Sequence, residues 1–281
     1  MSVPHDLLRA LAIFAAGLAA GTIHTVVGSG TLITFPTLLA FGYPPVLANV
    51  SNNVGLVPGV ASGVYGYRSE LGGQRRRLLR LGSASVGGGL VGAILLLTLP
   101  QSAFKEIVPA LIGLAVVMVI IQPRLAKWVA ERQRARAALA APDGGAAAVG
   151  ASAEAASATP NVEDAIGGPV LWVLVFAAGI YGGYFGAAQG VLLIGMLGIA
   201  LNDSLQRLNG AKNVLAGLVN GIAAVVFILA THVDWGVAGL IAAGSIIGAQ
   251  VGARIGKRLP PWGLRVVIVC VGTAALVKLL T

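Results

Sequence analysis

The sequence predicts an all-α membrane protein built from two repeats of inverted topology, about five transmembrane segments each, with broken or re-entrant helices near glycine breaks. Three observations carry that expectation. The chain is 57% hydrophobic and 10% charged, with a mean hydropathy of +0.87, which is more apolar surface than a soluble core can hide. Motifs recur at a constant offset of 160: Asn49-x-x-x-Asn53-Val54 matches Asn209-x-x-x-Asn213-Val214, Ser85-x-x-Gly88-x-x-Val91-Gly92-Ala93 matches Ser245-x-x-Gly248-x-x-Val251-Gly252-Ala253, and Leu99-Pro100 matches Leu259-Pro260. Such clustering marks a duplication. The third observation is that matching loops of the two halves differ in charge.

The elements follow in order. Charge-poor stretches at 8–27, 46–67, 78–99, 104–122, 170–188, 205–231, 235–256 and 262–280 are each long enough to cross roughly 30 Å of hydrocarbon as helices. Two shorter apolar runs, 31–41 and 191–201, follow the breaks Gly28-Ser29-Gly30 and Gly186-Ala187-Ala188-Gln189-Gly190. Straight helices of that length reach only part of the way. The chain divides into a first transmembrane repeat at 1–122, a flexible linker at 123–168 and a second repeat at 169–281. The linker turns Ala-, Gly- and Ser-rich and contains Pro142, Asp143-Gly144-Gly145 and Pro160, too polar and broken to span. A short basic helix at 124–139 would lie near anionic headgroups. The first segment reads as a retained helix, since its Gly17-x-x-x-Gly21 is echoed by Gly179-x-x-x-Gly183.

The net charge of +9 does not point to nucleic acid, because 15 of the 19 basic residues fall on one predicted side of the membrane and no aromatic-interleaved basic face exists. That side carries Arg68, Arg75, Arg76, Arg77 and Arg80, the linker's basic residues, Arg207, and Arg254, Lys257, Arg258 and Arg265. The loop 68–77 is strongly basic, whereas its counterpart Thr231-His232-Val233-Asp234 has no Lys or Arg. An odd number of crossings per half follows. This gives inverted repeats, both termini outside, and a cytoplasmic linker in a multi-pass protein of the cytoplasmic membrane. Cys270 is the only cysteine, so there is no intrachain disulfide and no cysteine-based metal cluster. With no phosphate-binding loop, paired catalytic carboxylates or metal-ligand cluster, neither an enzyme nor an ATP-driven pump is expected, and no cofactor.

Polar groups recur at matching depths in the halves. Asn49 and Asn53, like Asn209 and Asn213, are four apart and share a helical face. With Ser51 and Asn52 they either line one cavity or hydrogen-bond across packed helices, each such bond stabilising by about 1 kcal/mol or less. Lys212 is the one basic residue that fits no loop, and an ionisable group inside a span is a site hypothesis by default. The alternative is snorkelling, because Lys212 lies about 10 Å into its segment at 1.5 Å per residue. The two breaks would leave backbone N–H groups free at helix N-termini, where anions bind. Ser29, Gly30 and Thr31 would supply donors at one break, Gln189 and Gly190 at the other. His24, just before the first break, either carries a proton or is an interhelical packing residue. Gly244, Gly248, Gly252 and Gly256 form a stripe for close helix contact. A fixed ammonium flanked by amides and hydroxyls suits a small oxyanion.

Gly17-Leu-Ala-Ala-Gly21 through Gly28-Ser29-Gly30 and Pro36, then Ala48-Asn49-Val50-Ser51, resembles the first-repeat motif of the sulfite exporter TauE/SafE family, also described as the toluene-sulfonate uptake permease group. The second copy, Gly179-Ile-Tyr-Gly-Gly183-Tyr-Phe-Gly186-Ala-Ala-Gln-Gly190 with Asn209-Gly-Ala-Lys212-Asn213, is the closer match. The first glycine run is sparser than the family's usual Gly-x-Gly-Gly-Gly, and position 189 is Gln where Gly is common. The resemblance implies a non-enzymatic transporter of sulfite, sulfonates or related small organic anions. Its expected partners are that small anion and the lipid bilayer, with proton coupling through His24 and a homodimer left open. Carriage of another organic anion, a membrane enzyme and a scaffold are the rival readings.

Overall fold

The computed structural model describes residues 5–140 and 168–255, together with residues 270 and 273. Within them the first half forms α1 (His5–Val26), α2 (Thr31–Ala40), α3 (Pro45–Gly66), a 3-10 turn (Arg68–Leu71), α4 (Arg75–Thr98) and α5 (Gln101–Ala140). The second half forms α6 (Pro169–Tyr184), α7 (Gln189–Ala200), α8 (Leu205–Ala230) and α9 (Trp235–Ile255). Helix starts follow local chemistry. Pro45 and Pro169 occupy first-turn positions, where a missing N–H is harmless. Ser204 Oγ accepts from Arg207 N (3.4 Å) to cap α8, and Asp234 Oδ1 accepts from Val237 N (3.0 Å) to cap α9.

Among the described residues, five helices are long and apolar enough to cross a membrane: Asp6–Val26, Arg75–Thr98, Ser102–Leu125, Leu205–Ala230 and Trp235–Arg254. The sequence suggests eight. α3 has the length, 22 residues, but Asn49, Ser51, Asn52 and Asn53 dilute its apolar content. α6 stops after 16 residues at the second break, and the segment expected at 262–280 lies outside the described residues apart from 270 and 273. α5 runs through Pro123 to Ala140 without a break, so the basic helix expected at 124–139 continues the fifth segment.

The halves interlock by exchanging helices. α1 packs along α9, and α6 packs along α4, so the first helix of each half lies against the fourth of the other. Glycine permits the closeness. A Cβ on Gly17 would lie 2.8 Å from Ile241 O, and one on Gly252 would lie 2.7 Å from Thr22 O. In the α4–α6 pair, a Cβ on Gly179 would lie 3.1 Å from Gly88 Cα. Residue numbers rise together along both pairs (Gly17 with Ile241, Gly21 with Ser245; Gly88 with Gly179, Gly92 with Tyr184), so each pair is parallel. The third helices, α3 and α8, instead run antiparallel, with Asn53 meeting Asn220 and Val60 meeting Gly217. Phe35, Phe104, Tyr184 and Phe185 form an aromatic knot beside the breaks, with Phe35 and Phe185 edge-to-face at 5.2 Å between centroids.

Candidate functional site

α1 and α6 end in the same way. The N–H groups of Val27 and Gly28 both bond Ile23 O (2.7 and 3.1 Å), and those of Phe185 and Gly186 both bond Tyr181 O (3.0 and 3.2 Å). Gly28 and Gly186 then take positive φ, +87° and +77°, the left-handed turn that lets a helix stop abruptly. The short helix starts three residues later in each half, at Thr31 and Gln189. The structural offset through the breaks is therefore 158, correcting the constant 160 read from the sequence; α7 has two more residues than α2, which restores 160 from α3 onward.

The two breaks touch. Gly190 N donates to Gly28 O (3.2 Å), and a Cβ on Gly190 would fall 2.5 Å from Gly28 Cα and 3.2 Å from Lys212 Cδ. Each third helix then caps a broken helix of the opposite half. Lys212 Nζ and Asn213 Nδ2 of α8 donate to Thr25 O near the end of α1 (3.2 and 3.4 Å), while Asn49 Nδ2 of α3 donates to Tyr184 O at the end of α6 (3.0 Å). These acceptors are last-turn carbonyls that a helix cannot satisfy itself, and the negative end of the helix dipole favours the ammonium.

Lys212 is 1% exposed, so it does not snorkel. Thr25 O takes one of its three N–H donors. Asp203 is paired with Arg77 and Arg207, and among the described residues no carboxylate forms an ion pair with Lys212. Buried polar atoms without a hydrogen-bond partner lie on Asn213 and on the segments at the breaks: both ring nitrogens of His24, Ser29 Oγ, Asn213 Oδ1 and Gln189 Nε2, whose amide packs against Gly182 of α6. His24 adjoins Thr25 and sits against Gly30, where a Cβ would lie 3.0 Å from His24 Cβ. Unpaired groups in such a setting are costly. Beside the Lys212 ammonium, Ser29 Oγ, Gln189 Nε2 and one His24 nitrogen are donors without an acceptor, while Asn213 Oδ1 is an acceptor without a donor.

The fold thus brings Lys212, Asn213, His24, Ser29, Gly30, Gln189 and Gly190 to one junction. Thr31 and Asn52 join at its edge: Asn52 Nδ2 donates to Thr31 Oγ1 (3.5 Å), and Thr34 Oγ1 donates to Asn52 Oδ1. Four expected residues stand elsewhere. Asn49 caps α6, Ser51 Oγ accepts from Asp234 N (2.9 Å), Asn53 Nδ2 donates to Asn220 Oδ1 (3.4 Å), and half-buried Asn209 lies one turn before Asn213. The breaks also spend part of what they were expected to offer, since Gly190 N–H is bonded to Gly28. Thr25, Thr34 and Asn220 were not anticipated; Asn220 had a signal, lying seven residues after Asn213 on the same face. Among the described residues, no group of three or more His, Cys, Asp or Glu could hold a metal ion.

The sequence profile described as "Sulfite exporter TauE/SafE" matches residues 13–279. The chain belongs to the sulfite exporter TauE/SafE family. It is also similar to a "Probable membrane transporter protein" of Haemophilus influenzae, 26% identical over 258 residues that cover 91% of this chain and 87% of that protein. The "Probable membrane transporter protein YfcA" of Escherichia coli is 24% identical over 280 residues, covering 95% and 88%. A "Probable membrane transporter protein ORF9" of a Sinorhizobium species is 25% identical over 269 residues, covering 95% and 91%. No solved structure matches this TauE/SafE chain. Family membership and the five apolar helices make it a multi-pass membrane protein.

Proposed function

We propose that the protein is a secondary transporter, working as an exporter, for small sulfur-containing oxyanions such as sulfite or organosulfonates across the cytoplasmic membrane. One observation carries the proposal: a fully buried ammonium, Lys212, which forms no ion pair with a carboxylate among the described residues, sits where two helix breaks meet beside unpartnered polar atoms. An oxyanion supplies the countercharge that Lys212 lacks and acceptors for the donors beside it. Lys212 is the electrostatic anchor; Asn213, Ser29, Gln189 and His24 hold the oxygens, and Gly30, Thr31, Gly190 and Asn52 shape the floor. Asn49, Ser51, Asn53 and Asn209 hold the surrounding helices in register.

The halves act as repeats of inverted topology. Support comes from the antiparallel run of the equivalent helices α3 and α8, and from the parallel exchange of α1 with α9 and α6 with α4. Rocking one repeat against the other would open the junction to alternate sides. Export needs no coupling ion, since an inside-negative potential of 100 mV favours exit of each negative charge by about 2.3 kcal/mol, roughly fifty-fold in concentration. The test is sulfite flux into proteoliposomes at a set potential, with acetate, sulfoacetate and thiosulfate as competitors. Potential-dependent flux, lost in Lys212→Ala, is expected; no flux of any of these anions from folded protein would sink the proposal.

A further inference from the structure

A second polar group lies at the end of the molecule that carries the 68–80 arginines. Asp203, in the turn 201–204 between α7 and α8, accepts from Arg77 Nη1 through Oδ2 and from Arg207 Nε through Oδ1, both at 2.6 Å. Arg77 comes from the first turn of α4 and Arg207 from the first turn of α8. One carboxylate therefore ties the two halves together. Buried Gln74 braces the arginines: its Oε1 accepts from Arg77 Nη1 (3.1 Å), and its Nε2 donates to Arg207 O (3.3 Å) and Glu70 O (2.8 Å).

Three features favour an exchangeable anion between these arginines. The Arg77, Asp203 and Arg207 side chains keep 13%, 14% and 33% of their exposure, so a small solute can reach them. The carboxylates on the elements meeting here are Asp203 and Glu70, against Arg68, Arg75, Arg76, Arg77, Arg80 and Arg207, which leaves the site cationic. Arg207 also precedes Lys212 by five residues in one helix, about 7.5 Å of rise, so the pair stands between the membrane surface and the core ammonium. Among the described residues, the opposite end shows no arginine pair sharing one carboxylate. There Asp234, which aligns with Gln74 at the offset of 160, meets Ser51, and Arg9 lies over the rings of Phe41 and Tyr43.

We propose that Arg77 and Arg207 form a peripheral binding station for a small oxyanion, which the Asp203 carboxylate fills when no anion is present. An arriving anion takes the place of Asp203, releases the 201–204 turn and loosens the tie between the halves. Onward passage to Lys212 rests on the proposed transport function; binding and release at the station do not.

The test reads opening directly. In a Cys270→Ser background, Ala211→Cys puts a thiol one turn beyond Arg207 at a fully buried position, to be labelled by a membrane-impermeant maleimide in inside-out and right-side-out vesicles. The expected results are slow labelling with chloride, labelling about tenfold faster with millimolar sulfate, and the same fast rate without sulfate in Asp203→Asn. Tenfold corresponds to about 1.4 kcal/mol. Entry of the label should occur from the face bearing residues 75–80. Asp203→Glu should keep slow, sulfate-responsive labelling, while Arg77→Gln should label fast with no sulfate response. Equal rates in chloride and sulfate would overturn the station, as would labelling only from the opposite face. If Asp203→Asn does not fold, the wild-type sulfate response and Asp203→Glu still decide. Labelling that responds as expected without any sulfite flux would keep the station and reject the transport reading.

Discussion

Lys212 occupies a position where its charge is a burden to stability. Removing an isolated buried ion relieves its desolvation cost, so Lys212→Met should abolish anion flux, by more than about 100-fold on the scale of a charged binding group, while its thermal midpoint in detergent stays level or rises. A midpoint falling by several degrees would mean that the ammonium is structural. Lys212→Arg should fail as well, since a planar guanidinium presents its donors in a different geometry from a compact ammonium. Asn53 and Asn220 belong to stability: leucine at either should cost about 1 kcal/mol, and the double variant less than the sum, in a double-mutant cycle of unfolding. Lys212 was legible because one ionisable group interrupts an apolar run. The bond from Asn53 to Asn220 was less legible, because spacing fixes which residues share a helix face, whereas the rotation of that face toward a neighbour is set by packing between distant segments.

Gly28 and Gly190 are the elements' point of contact, and the two breaks tolerate nothing larger there. Gly190→Ala should separate them and remove flux along with much of the folded yield, whereas Gly239→Ala, with no atom within 4 Å of the added Cβ, should leave transport intact and raise stability by about 0.5 kcal/mol through helix propensity. Flux assays paired with size-exclusion yield would check both. The existence of the breaks was plain from glycine flanking short apolar runs. Their register was not, because glycine and alanine runs align about equally well at 158 and 160, and only the matched turns at Gly28 and Gly186 distinguish the two. The end of α5 was equally hidden, since Pro123 and a rise in charge resemble a helix stop although the helix continues to Ala140.

At the scale of the whole molecule, loop charge carried more information than helix count. The basic 68–80 end contains the Arg77–Asp203–Arg207 cluster, and α3 and α8 run antiparallel, an arrangement compatible with the inversion read from the loops. Single cysteines at Ser2 and Ser152 should accordingly label from opposite faces of the membrane, the first outside and the second inside; labelling from the same face would defeat the inverted assignment. The exchange of helices also shapes how the protein is made. Thr22 of α1 bonds Gly248 O of α9, 226 positions downstream, so α1 must wait in lipid with its glycine face uncovered until nearly the whole chain has left the ribosome. A fragment ending in the linker should therefore be degraded in the cell, and expressing the other half beside it should rescue both.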